Sequence, residues 1–188
     1  EVDGKVFSGI QTLVPNTTGG GAVVNAQDNP EISINSDFIN NSVAPESGAF
    51  ADGGAIENRG SLNSISGTFV NNHANGVSHS SPTQYRTTGG GAICNGGTIS
   101  NIDGIFIGNT TNNIGGAIDN ISGNGTISNI EGVFIGNIAQ EDGGAIASFS
   151  TSTGNINGIF IKNSAHKFGG GAISAENGST FGDITGYF

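Results

Sequence analysis

The sequence predicts a right-handed parallel β-helix of about six coils with three short strands each, and three observations support this. A Gly-Gly-Ala motif followed by Ile or Val recurs six times. A Phe-x-x-Asn motif falls between successive copies. The chain has 34 glycines in 188 residues and only 11% charged residues, so helix formers are scarce. Its apolar residues recur in a fixed frame, which excludes a disordered linker.

The two motifs define one repeat unit. The first motif ends at Ala22, Ala55, Ala92, Ala117, Ala145 and Ala172. The second motif consists of Phe38/Asn41, Phe69/Asn72, Phe106/Asn109, Phe134/Asn137 and Phe160/Asn163. The spacing from each alanine to the next phenylalanine is 14 to 17 residues, whereas the spacing from phenylalanine to alanine is 11 to 23. One arc of the coil is therefore nearly constant, and the other holds the insertions.

Each unit divides into a Gly-Ala-Ile-x-Asn strand, a middle Ile-x-x-Ile strand and a Phe-Ile-x-Asn strand. Parallel stacking in register places equivalent residues about 4.8 Å apart, so Ile102, Ile130 and Ile156 should form a buried ladder. We expect the asparagines at corners, where Asn tolerates left-handed geometry and stacked amides bond to one another. The glycines should make tight bends. A leucine-rich repeat would need a leucine ladder, and a β-propeller blade about 40 residues, so both fit less well.

One apolar column leaves two arrangements open. Phe106 and the following Ile107 are both apolar, and strict alternation cannot bury both. Either a bend turns both inward, or one column forms an exposed apolar stripe. The column just before the phenylalanines has polar residues in earlier coils, so we predict that it faces outward; its apolar members are Ile105, Val133 and Ile159.

Charge and composition exclude several partners. The formal net charge is −10, and the basic residues are scattered, which argues against nucleic acid and anionic membranes. A single cysteine, Cys94, excludes an internal disulfide. The three histidines lack metal-binding spacing, and the glycine clusters lack the Lys-Ser/Thr of a phosphate loop. We therefore predict no metal, no cofactor and no catalytic residue.

The paired Gly-Gly-Ala-Ile and Phe-x-x-Asn motifs closely resemble those of the polymorphic outer-membrane protein family, which are autotransporters of Gram-negative bacteria. The resemblance extends from about Phe7 to Phe188, with an extra stretch between Phe69 and Ala92. It implies a β-helix passenger at the bacterial cell surface, either outer-membrane-associated or secreted. It also implies a role in adhesion, with a host-cell surface protein or glycan as partner.

On this interpretation residues 1–188 are a single β-helix segment of a longer passenger. Phe188 stands where another Phe-x-x-Asn motif begins, so we expect either more chain or another molecule stacked on the last coil. Exposed coil ends present unpaired strands, which predicts concentration-dependent self-association.

The candidate binding residues lie in the extra stretch, His73 to Thr88, because loops on a rigid scaffold often carry recognition. We single out His79, Tyr85 and Arg86; Tyr and Arg are favoured at binding hot spots. The alternative interpretation is a tolerated surface loop.

Two acidic groupings are the candidates for chemistry. Glu57, Cys94 and Asp119 should stack outward on consecutive coils, but flanking carboxylates disfavour a reactive thiolate. Asp103 and Glu131 should stack at about 5 Å, the carboxyl separation of a retaining glycosidase. The simpler interpretation is that both are solvated surface carboxylates, and a weak calcium site would fit the same pair equally well.

The sequence thus predicts a non-enzymatic rod that acts in adhesion or display. Two alternatives stay open: a β-helix polysaccharide lyase or hydrolase, and a self-assembling structural fibre module.

Overall fold

A computed structural model describes residues 2–14, 20–27, 31–45, 51–76, 79–81, 84–86, 89–121 and 125–188. These residues form strands and no helix, so none of them belongs to a helix that could cross a membrane. In chain order the strands are β1 (Val2–Ser8), β2 (Gln11–Val14), β3 (Val23–Asn25), β4 (Ile32–Ile39), β5 (Ser42–Pro45), β6 (Ile56–Asn58), β7 (Ser61–Val70), β8 (His73–Ala74), β9 (His79–Ser81), β10 (Gln84–Arg86), β11 (Ile93–Asn95), β12 (Thr98–Ile107), β13 (Thr110–Thr111), β14 (Ile118–Asn120), β15 (Thr126–Ile135), β16 (Ile138–Ala139), β17 (Ile146–Phe149), β18 (Ser152–Ile161), β19 (Ser164–Ala165), β20 (Ile173–Glu176), β21 (Thr180–Phe181) and β22 (Ile184–Tyr187).

Three parallel sheets run along the molecule. Sheet A contains β1, β4, β7, β12, β15 and β18, followed by β21 and β22; sheet B contains β2, β5, β8, β13, β16 and β19; sheet C contains β3, β6, β11, β14, β17 and β20. Each coil passes through A, B and C in turn, and sheets B and C each have six strands. The predicted parallel β-helix with three strands per coil is confirmed.

The division of each coil into strands differs from the prediction. The middle and phenylalanine pieces form one continuous strand, such as the ten-residue β12. The third strand instead begins after the asparagine, as β13 does. Gly104, two residues before Phe106, does not break the long strand, because it faces the interior. A Cβ on Gly104 would lie 3.1 Å from the Phe106 ring and 3.0 Å from the Gly67 carbonyl oxygen. This glycine therefore makes room for the ring rather than bending the chain.

The core consists of ladders of equivalent side chains. Ile102 pairs in register with Ile65 and Ile130, and all three are buried. The phenylalanine rings stack from coil to coil, with centroids 4.8 Å apart between Phe69 and Phe106 and 4.9 Å apart between Phe106 and Phe134. Such separations lie in the favourable range for stacked aromatic rings. The predicted isoleucine ladder is confirmed.

The asparagine of the second motif ties three coils together. The side-chain amide of Asn109 donates to the Phe69 carbonyl oxygen at 2.9 Å and to Oδ1 of Asn137 at 3.0 Å. Its own Oδ1 accepts from the side chain of Asn72 at 2.9 Å. The predicted bonding between stacked amides is therefore present. The left-handed residue at this corner is the one before the asparagine, such as Gly108 with φ of 61°.

The corner between sheets B and C requires both glycines of the first motif. The fourth coil, β12 to β14, shows why. Gly115 has φ of 68°, a conformation that L side chains rarely adopt. A Cβ on Gly116 would lie 2.0 Å from the carbonyl oxygen of Gly144 in the next coil. Ala117 follows with its methyl group buried in the core. The motif thus combines a tight turn with close stacking of successive backbones.

Candidate binding surfaces

The largest departure from the repeat is an insertion in the third coil. β8 pairs with β13 in the fourth coil, and Gly89 pairs with Ile114. Between these shared positions the fourth coil has only Asn112 and Asn113, whereas the third has residues 75–88. Within this insertion, β9 and β10 form an antiparallel hairpin that belongs to none of the three sheets. We call residues 75–88 the hairpin insertion.

The three predicted binding residues lie in this hairpin. His79 pairs with Arg86 across the two strands, and Tyr85 pairs with Ser80. The side chains of these residues lie outside what the structure describes. His73 was assigned to the insertion, and this is wrong, because it belongs to β8 of sheet B. Its Nδ1 lies 2.6 Å from Oγ1 of Thr110, and burial lowers its pKa.

The outer face of sheet A shows whether the apolar residues on either side of each motif phenylalanine point inward or outward. The phenylalanines are buried, and the residues on either side of them point outward, so no bend turns both inward. Ile105 and Ile159 are each 43% exposed, and Ile107 and Ile161 are 36% and 38% exposed. We call the two outward columns the apolar stripe; its members are Ile105, Val133 and Ile159 in one column and Ile107, Ile135 and Ile161 in the other.

An acidic pair borders the apolar stripe. Asp103 and Glu131 pair in register on adjacent coils, as predicted, and both are exposed. With Val133, Ile159 and Tyr187 they line a shallow surface groove. General acid catalysis by a carboxyl group usually requires an apolar or enclosed environment, which an open sheet face does not provide.

The acidic column of sheet C is not on the surface. Glu57, Cys94 and Asp119 stack on consecutive coils as predicted. The predicted outward orientation does not leave them exposed to solvent, because their exposed fractions are 2%, 0% and 0%. They point away from the core, but other segments cover them. A Cβ on Gly89, just before the Gly-Gly-Ala motif of the third coil, would lie 2.8 Å from Oδ2 of Asp119.

Of the two carboxyl groups in this column, the described residues provide an ion pair for one. Arg59 forms an ion pair with Glu57. Burial raises the pKa of Asp119 well above its ordinary value, and the charge of Asp52 adds to this effect. Neither carboxyl oxygen of Asp119 has a hydrogen-bond partner among the described residues. A neutral Asp119 avoids the cost of a buried charge.

A second carboxyl pair joins the fifth and sixth coils. Asp142 and Glu176 form a side-chain hydrogen bond. Burial, then the charge of Asp142 and this hydrogen bond, raises the pKa of Glu176 to about 7. Burial also raises the pKa of Asp142. Across the described ranges, no three His, Cys, Asp or Glu side chains are arranged to hold a metal ion.

These features define a class of protein, a parallel β-solenoid with an inserted hairpin and an exposed apolar face. Residues 66–101 and 131–148 match the family model of the Chlamydia polymorphic membrane protein repeat. These two segments are therefore similar to repeats of that family, the family that the two motifs suggested. No curated protein and no solved structure matches the chain.

Proposed function

We propose that this segment is part of an autotransporter-type passenger at the bacterial cell surface and acts in adhesion or display without enzymatic activity. The observation that carries the proposal is the hairpin insertion, which forms its own two-stranded sheet apart from the three sheets of the rod. An insertion at a corner leaves the core ladders in register, as the continuous pairing of β7 with β12 demonstrates. The repeat family, named for membrane proteins, supports a surface location.

The partner in this proposal is a host-cell surface protein or glycan contacted by the hairpin insertion. Corner segments on a rigid scaffold can vary without disturbing the core, which suits them to recognition. Nucleic acid is a poor partner for a chain with a formal net charge of −10. In this proposal His79, Tyr85 and Arg86 make contacts with the partner.

The test uses the repeat itself as the template for a deletion. Replacing residues 75–88 with the Asn-Asn of the fourth coil removes the hairpin insertion and retains the corner that β8 and β13 share. The purified chain and this variant are compared for binding to cultured epithelial cells by flow cytometry. We expect at least a tenfold loss of binding with an unchanged far-UV circular dichroism spectrum. Equal binding by the two proteins would refute the role of the insertion.

A matched substitution distinguishes contact residues from the backbone of the insertion. The triple variant His79→Ser, Tyr85→Ser, Arg86→Ser keeps the chain length and should lose most of the cell binding that the deletion loses. Full retention of binding would assign recognition to other residues of the insertion.

A further inference from the structure

The first column of the apolar stripe, that of Ile105, is not required by the fold. In the third coil the position equivalent to Ile105 is Thr68, and the long strand there pairs with β12 without a break in register. Threonine has a strand propensity similar to that of isoleucine, so β-sheet formation alone does not demand an aliphatic residue. Outward faces of sheets are usually polar, and contiguous exposed aliphatic residues mark interaction surfaces. Ile105 and Ile159 therefore need an explanation outside the fold.

The size of the apolar stripe favours a narrow partner. Its six members form two columns two residues apart along the strand over three coils, which gives an area on the order of 300 Å². The half-buried Val70 and Ile39 continue the column of Ile107 into the earlier coils and widen the surface only along that one line. Each partner in a standard protein interface contributes roughly 800 Å². The stripe is thus too small to hold two copies of this chain together on its own, and it fits one strand or the edge of a small sheet.

Charge defines the chemistry of that partner. Asp103 and Glu131 stand two residues before Ile105 and Val133 on the same outward face. The face therefore presents an acidic column, then an aliphatic column, then a second aliphatic column. Among the described basic residues, Lys162 lies beside the apolar stripe, but at the edge opposite the acidic column. A second copy of this acidic chain would bring no basic column to face the carboxylates.

We propose that the apolar stripe and its acidic column bind a β-strand of a basic partner protein. Outward side chains at i, i+2 and i+4 of any strand repeat at about 6.8 Å, which is also the separation of the three columns. A partner strand aligned with sheet A places a lysine or arginine over Asp103 and Glu131 and two aliphatic side chains over the apolar stripe. Aligned packing of two sheet faces is a common geometry. The partner is recognisable by a basic, aliphatic, aliphatic pattern at alternate positions.

The probe for this proposal is a cyclic β-hairpin peptide that presents Lys-x-Val-x-Val on one face. Its matched control presents Glu-x-Val-x-Val on the same scaffold. Each peptide is titrated into the full chain carrying ¹³C-labelled isoleucine δ1 methyl groups. The Lys peptide should shift the methyl signals of Ile105, Ile107, Ile159 and Ile161, while the buried Ile102 and Ile130 serve as internal references. The Glu peptide should bind at least tenfold more weakly.

Two variants test the site. Ile105→Thr with Ile159→Thr copies the polar residue of the third coil and should weaken binding of the Lys peptide at least tenfold. Unchanged core methyl signals would confirm that this variant is folded. Asp103→Lys with Glu131→Lys leaves the apolar stripe intact and should reverse the preference, so that the Glu peptide binds more tightly.

Three outcomes would overturn the proposal. One is the absence of methyl shifts at millimolar Lys peptide, and another is equal affinity for both peptides. The third is a shift of the stripe methyl signals with protein concentration alone, which would assign the surface to a second copy. The inference extends the proposed function to a second face, and the two can fail separately, because deletion of the hairpin insertion leaves the apolar stripe unchanged.

Discussion

The carboxyl group of Glu176 in the sixth coil is hydrogen-bonded to the carboxyl group of Asp142 in the fifth. A hydrogen bond between two carboxyl groups requires a proton on one of them. With its pKa raised to about 7, Glu176 holds that proton near neutral pH. The bond therefore joins the two coils only while the proton stays bound.

This pair predicts that the protein is more stable in mild acid than in mild base. The pKa of Glu176 in the folded state lies above its ordinary value of 4.5, so its contribution is fully present below about pH 4.5 and is lost as pH rises through about 7. In the Glu176→Gln variant the side-chain amide donates to Asp142 at any pH. The difference in the free energy of unfolding between low and high pH should therefore shrink by about 1–2 kcal/mol, a value reduced for solvent screening. Urea denaturation at pH 5 and pH 8.5 measures it. The same change at an exposed carboxyl group, Glu131→Gln, is the control and should leave the dependence as it was.

A second prediction concerns the asparagine of the Phe-x-x-Asn motif. Asn109→Ala removes the side chain that joins Phe69, Asn72 and Asn137, and it leaves buried polar groups without partners. We expect a loss of about 2–4 kcal/mol in the free energy of unfolding. Asn129→Ala removes an exposed amide that donates to Asn101 at 3.2 Å, and it should cost less than about 0.5 kcal/mol. Equal losses in the two variants would show that the buried ladder has no special role.

A third prediction concerns the isoleucine ladder. Ile130 is fully buried in the core, so Ile130→Ala should cost about 2–4 kcal/mol by the transfer and cavity terms. Val133→Ala in the same strand changes an outward residue of the apolar stripe and should cost far less. Denaturation midpoints of the two variants test this. A negligible shift for Ile130→Ala would contradict the buried register of sheet A.

A fourth prediction concerns chemistry at the acidic pair. Asp103 and Glu131 lie side by side on an open face of sheet A, so the chain should release no reducing ends from pectin, polyuronates, chitin or arabinans. A reducing-sugar assay measures this. Release that disappears in Asp103→Asn and Glu131→Gln would establish the hydrolase alternative instead.

The sequence was sufficient to predict the ladders and their register, because each column repeats the same residue type in nearly every coil. It was not sufficient to predict the burial of Glu57, Cys94 and Asp119. Alternation along a strand indicates which face a side chain points to, but not whether another segment packs over that face. The role of Gly104 was also missed, because a glycine that leaves space for a ring gives the same local signal as one that bends the chain. The insertion was evident from motif spacing, whereas its internal hairpin has no counterpart in other coils to reveal it.

The amide ladders make the rod electrically asymmetric along its length. Asn72 donates to Asn109, and Asn137 donates to Asn163, so the amide ladder of the Phe-x-x-Asn motif runs from each coil to the one that follows it. Each amide carries a dipole, and dipoles aligned in this way polarise one another. A coil added after the stack must offer an amide oxygen, whereas a coil added before it must offer an amide hydrogen. Two such rods can therefore extend this ladder only when joined head to tail.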